Sequence, residues 1–152
     1  VNIGNRIIEL LTSGDPEDQV KAAEVSAPKK QFQDMIDELF ADTNKKIDRK
    51  SNEIQFMQKM GQGCEVITPY QLSSGEKQML AILLTVLVEN REPYALLMDE
   101  PEISLHIDWQ QRLIDLIRQL NPNAQIILST HSPALIMDGW MSNVTEVGDI
   151  AN

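Results

Sequence analysis

Two short apolar runs, each stopped by polar residues that can do chemistry, constrain this chain most. Tyr94-Ala95-Leu96-Leu97-Met98 ends at Asp99-Glu100-Pro101, and Gln125-Ile126-Ile127-Leu128 ends at Ser129-Thr130-His131-Ser132. A half-exposed strand would alternate apolar and polar residues; these continuous runs read as buried strands of a parallel sheet. Between them Leu113, Leu116, Ile117 and Leu120 share one helical face, and Asn121-Pro122-Asn123 stops that helix. Ahead of the first run, Met79 to Val88 is apolar almost all round, the pattern of a helix buried on most sides. Helix, strand, helix, strand is the alternation of an α/β fold with a parallel sheet. Val144 to Val147 reads as one further strand.

The earlier part of the chain is more polar. Ile7, Ile8, Leu10 and Leu11 form a short apolar segment closed by Ser13-Gly14-Asp15-Pro16. Residues 17–25 fit a weak helix or a loop. After Pro28, Phe32, Met35, Ile36, Leu39 and Phe40 recur at helical spacing and make one apolar stripe. The period then changes: Lys46 to Arg49, Glu53 to Met57 and Cys64 to Ile67 read as short strands of a small antiparallel element within residues 45–67, with Gly61-Gln62-Gly63 as a turn.

Charge and composition bound what this fold can serve. With 13 basic and 23 acidic residues the net charge is -10, which excludes a broad face gripping a phosphate backbone. Lys45, Lys46, Arg49 and Lys50 form the one basic cluster, and a solvated strand face accounts for it as well as a nucleic-acid contact does. The single cysteine, Cys64, cannot close an internal disulfide; it fits a reducing cytoplasm and reads as a buried or half-buried thiol. No apolar run approaches the ~20 residues of a membrane span, and no basic-then-apolar leader opens the sequence. The first residue is Val1, so the sequence reads as part of a longer protein.

Ligands of open parallel sheets bind at the carboxyl ends of the strands. Asp99 and Glu100 occupy one such end and the Thr130-His131-Ser132 cluster the other. Two acids directly after apolar strand residues are expensive unless a cation or water network uses them. The alternative is a pair of acids capping a strand beside a turn. A second signal is Leu72-Ser73-Ser74-Gly75-Glu76-Lys77-Gln78. Ser73 with Glu76 three residues on is a capping box, so a helix starts here. Free amides at that helix start suit a phosphate, although capping alone would explain the same residues. His106 and His131 lack the pairing that a structural zinc site needs. Ser129, His131 and Ser132 are too close in sequence to form a nucleophile relay.

Taken together, these segments resemble ABC-type ATPases. Leu72 to Gln78 is similar to their signature motif, Leu96 to Glu100 to their Walker B strand, Ile103-Ser104-Leu105-His106 to their D-loop, and His131 to their switch histidine. The resemblance covers roughly residues 70–135. Ser74 stands where transporters usually carry the first signature glycine, and His106 where their D-loop usually has an aspartate. With Asp-Glu-Pro-Glu-Ile-Ser-Leu-His and Ser-Thr-His-Ser-Pro, the chain is closer to the AAA-type ATPases of the overcoming-lysogenization-defect (OLD) class and to RecF-like and SMC-like heads.

That resemblance implies a P-loop NTPase-like parallel sheet flanked by helices, and ATP and Mg2+ as ligands. Asp99 would hold the magnesium ion through water, Glu100 would act as general base, and His131 would contact the γ-phosphate. Ser73, Ser74 and Gly75 would bind nucleotide held by a second head, with Ser104 and His106 lining that boundary. A nuclease or DNA-associated partner would couple to ATP turnover. No Gly-x-x-x-x-Gly-Lys-Ser/Thr occurs. Residues 1–152 therefore read as the C-terminal portion of one incomplete ATPase domain: a helical lead-in (1–44), a β element (45–69) and the signature-to-histidine core (70–152). Such a piece would bind ATP poorly alone. An ATP-sensing dimerisation module and the ATPase subunit of a membrane transporter are the rival readings.

Overall fold

A computed structural model describes residues 16–51, 53–137 and 139–150. The chain divides into two compact units between Pro69 and Tyr70. The apolar segment Ile7 to Leu11 lies outside the described residues.

In the first unit, helix α1 (Pro16–Leu39) is longer than its sequence pattern predicts, because it runs through Pro28 instead of starting after it. Proline inside a helix removes one hydrogen bond and crowds the preceding turn, at a cost of about 3 kcal/mol. The stripe that follows offsets this: Phe32, Met35, Ile36, Leu39 and Phe40 are all buried. The helix packs against strand β1 (Lys45–Ile47), which leads an antiparallel sheet of order β1-β2-β3 with β2 (Phe56–Met60) and β3 (Gly63–Ile67). Phe40 and Phe56 meet at 5.7 Å between ring centroids. Asp37 ties helix to strand, its Oδ1 accepting from the Ile47 amide at 2.7 Å and its Oδ2 from Arg49 at 2.9 Å. The three predicted strands are present as an antiparallel sheet, but the middle one starts at Phe56, three residues later than its pattern. Two expectations fail here. Lys45 is buried rather than solvated, and Cys64 is exposed, because β3 presents Gly63 to Val66 to solvent and only Ile67 inward.

The second unit carries the α/β alternation. Helix α2 (Ser74–Val88) precedes β4 (Tyr94–Asp99), helix α3 (Ile107–Leu120) follows, and β5 (Ala124–Ser129) lies parallel to β4, with Tyr94 opposite Ala124 and Asp99 opposite Ser129. The predicted face of α3 is buried in full, together with Ile114. Asn121, fully buried, closes the turn: its amide side chain donates to the Glu92 carbonyl at 2.9 Å, and its Oδ1 accepts from the Asn123 amide at 3.0 Å. The hydrophobic core of this unit forms between α2, α3 and one face of the strand pair, with Met79, Leu83, Leu96, Leu113 and Ile117 inside it.

The continuous apolar character of the strands predicts cover on both faces, but among the described residues only one face is covered. Leu96 is buried, whereas Leu97 is 73% and Ile127 50% exposed. The helices lie on one face, and alternation along each strand turns every second side chain to the other. Likewise α2 is buried along Met79, Leu80, Leu83 and Val86 but leaves Val88 exposed. Val144 to Val147 is not a strand: residues 144–146 are irregular and α4 (Val147–Ile150) follows.

Candidate active site

The chemistry-bearing residues gather where β4 and β5 end. Because the strands are parallel and in register at Asp99 and Ser129, their C-terminal ends emerge side by side. Asp99 shares the uncovered sheet face with Leu97 and accepts a hydrogen bond from the Ser129 hydroxyl on Oδ1. The Glu100 amide continues the ladder by donating to the Ser129 carbonyl at 2.9 Å. Glu100 then turns the chain with φ 44, a left-handed conformation that costs a non-glycine residue energy. Its carboxylate reaches the His131 ring at 3.5 Å, Oε1 to Nε2. Far apart in sequence, Glu100 and His131 are neighbours on the same side of the site. The imidazole is almost entirely exposed and the Glu100 side chain about two-fifths exposed, an open arrangement accessible to a ligand.

Beneath this pair the loop from Glu100 to His106 is held by polar contacts that periodicity does not show. Glu102 Oε1 accepts from the Thr130 hydroxyl and from the amides of His131 (3.0 Å) and Ser132 (3.2 Å). Burial pushes the Glu102 carboxyl up, but the hydrogen bonds from Thr130 and neighbouring amides outweigh it and hold the group below its ordinary range. Gln110, from the first turns of α3, bridges the same elements, donating to the Leu105 carbonyl at 2.9 Å and accepting from the Ser132 hydroxyl at 2.6 Å.

The signature segment opens α2 as a full capping box. The Ser73 hydroxyl accepts from the Glu76 amide at 3.3 Å, and the Glu76 carboxylate accepts from the Ser73 amide at 2.8 Å. Ser73 and Ser74 are exposed and Gly75 is buried. Gly75 has a steric reason to be glycine: a Cβ there would lie 2.5 Å from the Ser104 carbonyl oxygen. Ser104 adopts φ 74 and thereby turns its carbonyl region toward that helix start. His106 caps α3, its Nδ1 3.4 Å from the Asp108 amide, and its ring stays exposed.

The structure therefore brings Glu100 and His131 together, leaves Asp99 bonded to Ser129 at the adjoining strand end, and sets Gly75 against Ser104. Among the described residues, no hydrogen bond links Ser73 or Ser74 to Glu100 or His131. Neither Glu102 nor Gln110 stands out from the sequence pattern. The one available signal is the third acid of Asp-Glu-Pro-Glu, Glu102, a carboxylate with no role in a strand cap.

A parallel strand pair ending in an acid pair and a histidine, with a capped helix packed on the loop between them, is an arrangement of the P-loop NTPase fold. The chain belongs to the family described as "AAA domain, putative AbiEii toxin, Type IV TA system", which matches residues 6–138. Curated relatives include the Retron Vc95 probable ATPase of Vibrio cholerae serotype O1 biovar El Tor, 36% identical over 81 residues (46% of this chain, 16% of the relative). The Septu protein PtuA of Bacillus thuringiensis is 38% identical over 53 residues (35% and 13%). The thiamine import ATP-binding protein ThiQ of Chelativorans sp. is 42% identical over 73 residues (47% and 28%). The matched stretch spans less than a third of each of these relatives. Among solved structures, the SmcHead bound to the C-winged helix domain of ScpA superposes with a TM-score of 0.56 at 18% identity, over 87% of this chain and 43% of that one; this likeness concerns the fold. No helix among the described residues is long and apolar enough to cross a membrane.

Proposed function

We propose that this chain is the C-terminal portion of an ATP-hydrolysing, dimerising ABC-type head. The observation that carries the reading is the 3.5 Å approach of Glu100 to His131 beside Asp99, at the ends of two paired parallel strands. Glu100 orients and deprotonates the attacking water as general base. The exposed imidazole of His131 donates to the γ-phosphate and registers its presence. Asp99 would hold Mg2+. The donor chemistry fits that ion: Asp99 offers an exposed carboxylate at the strand end, and magnesium typically takes one or two carboxylates, waters and substrate phosphates rather than a protein cage. When bound, it neutralises charge on the phosphates.

The remaining residues serve a second head. Ser73 accepts from the backbone in the capping box, so its hydroxyl hydrogen is left to donate outward. With Ser74 and the amides around Gly75, at the positive end of α2, it binds the γ-phosphate of nucleotide held by the partner. Ser104 and His106 line the same boundary. The phosphate-binding loop comes from another part of the protein, and the 152-residue piece alone turns over little ATP. Closure and reopening of two heads drive a nucleic-acid-processing or anti-phage effector; similarity to a retron ATPase and a Septu protein supports this choice. The similarity to ThiQ favours a second reading, a transporter ATPase subunit, against which Ser74 and His106 weigh.

The test is Glu100→Gln in the intact protein, read by steady-state phosphate release. Loss of a general base costs roughly 10²–10⁴-fold, so turnover falls by at least ~100-fold with nucleotide still bound. Unchanged turnover overturns the reading.

A further inference from the structure

We infer that Glu102 is the positioning residue that fixes the switch-histidine segment against the acid loop, so that His131 stands beside Glu100. This assignment rests on the ATPase reading of the same site. Three donors from Thr130, His131 and Ser132 converge on one oxygen of Glu102, from 28 to 30 residues away in the chain. Two of the donors are the amides of His131 itself and of its successor. The carboxylate therefore sets the backbone from which the imidazole projects. Glu102 Oε2 is buried and has no partner among the described residues. A buried, unpartnered carboxylate oxygen is costly, and apolar packing would be served better by a neutral side chain. The contacts on Oε1, charge-assisted and so roughly twice as strong as neutral ones, offset that cost.

A second clasp acts at the same place. Gln110 holds Ser132 on one side and the Leu105 carbonyl on the other. The segment that carries His131 and the loop that carries Ser104 and His106 are thus held as one body. Glu102 makes no contact with the reacting atoms; it acts through His131.

The experiment uses the intact protein with Glu102→Gln, which keeps the shape and removes the charge. Two readouts are taken: amide hydrogen exchange at His131 and Ser132, and ATP turnover resolved into kcat and KM. Displacement of a catalytic group by about 1 Å can cost 100-fold, so kcat falls about tenfold or more while KM stays within about twofold. Exchange at both amides speeds up, while the β5 amides of Ile126 to Leu128 keep their protection. Thr130→Val deletes one donor to Glu102 and also the Thr130 oxygen that shares the Ser132 amide at 2.9 Å, so it is read at the His131 amide alone, where exchange speeds up in smaller measure; it covers the case in which Glu102→Gln does not fold. Unchanged exchange at His131 and Ser132 overturns the assignment. So does unchanged kcat in a protein where His131→Ala slows turnover. A wild-type protein without any ATP turnover overturns the ATPase reading instead, and the exchange result then still decides whether Glu102 anchors the segment.

Discussion

Replacing Gly75 by alanine tests whether the helix start and the Ser104 loop are in contact. In the first turn of α2, an added Cβ would sit 2.5 Å from the Ser104 oxygen, 3.5 Å from its carbonyl carbon and 3.8 Å from the Leu105 Cα. Ordinary contact begins at 3.4 Å, so helix and loop must separate by roughly 1 Å, well up the repulsive wall. All three neighbours are backbone and cannot rotate away. The loop is held by Leu105, which is buried and whose amide donates to the Glu102 carbonyl at 2.9 Å, and by Gln110. Overpacking of this kind costs about 1–3 kcal/mol. Alanine gains up to about 1 kcal/mol over glycine in a helix interior and less in the first turn. The net expectation is a loss of about 1–2 kcal/mol. Trp109 and Trp140 both lie beyond Tyr70, so tryptophan fluorescence during urea unfolding reports on the second unit alone. Gly148→Ala is the control, since nothing lies within 4 Å of a Cβ there. Equal or greater stability of Gly75→Ala relative to wild type would refute the close approach and leave capping as the whole reason for the glycine.

Asn121→Ala removes a fully buried amide that ties Asn123 and the Glu92 carbonyl to the end of α3. With two part-buried hydrogen bonds lost, it destabilises the second unit by about 1–3 kcal/mol in the same unfolding assay. Acid should release the His131 segment. The Glu102 carboxyl is held below the 4.5 of an ordinary glutamate, so its contribution is complete above that value and is lost as pH falls through the lower folded-state pKa. The stability difference between wild type and Glu102→Gln therefore narrows as the pH is lowered below the ordinary 4.5, measured by denaturant unfolding on the acid side of that value. A difference that widens on acidification would contradict the direction.

Much of this protein is legible because the relevant rules are local. The Ser73 and Glu76 capping box, the buried face of α3 and its stop at Asn121, and the α1 stripe from Phe32 to Phe40 each depend on residues within a turn or two. Strand ends bearing Asp99, Glu100 and His131 follow from two apolar runs and the rule that parallel sheets display their chemistry at the carboxyl edge. Errors arose where a local rule met a nonlocal neighbour. Pro28 was read as a helix boundary, yet burial of the residues after it keeps the helix whole. Val144 to Val147 has strand-like residues but pairs with nothing. Cys64 is apolar enough for a core, yet its place in β3 leaves it in solvent.

Amino-acid order alone settled the motif sequence, the α/β alternation and the identity of the acids and the imidazole, since these depend on chain neighbours and side-chain period. Only the tertiary structure decided that Glu102 and Gln110 grip the His131 segment, that Ser104 leaves no room for a side chain at Gly75, and that Leu97 and Ile127 line an uncovered face. Such partners lie some 20 to 30 residues apart or belong to different elements, and no periodicity records which groups a folded backbone brings within 3 Å of each other.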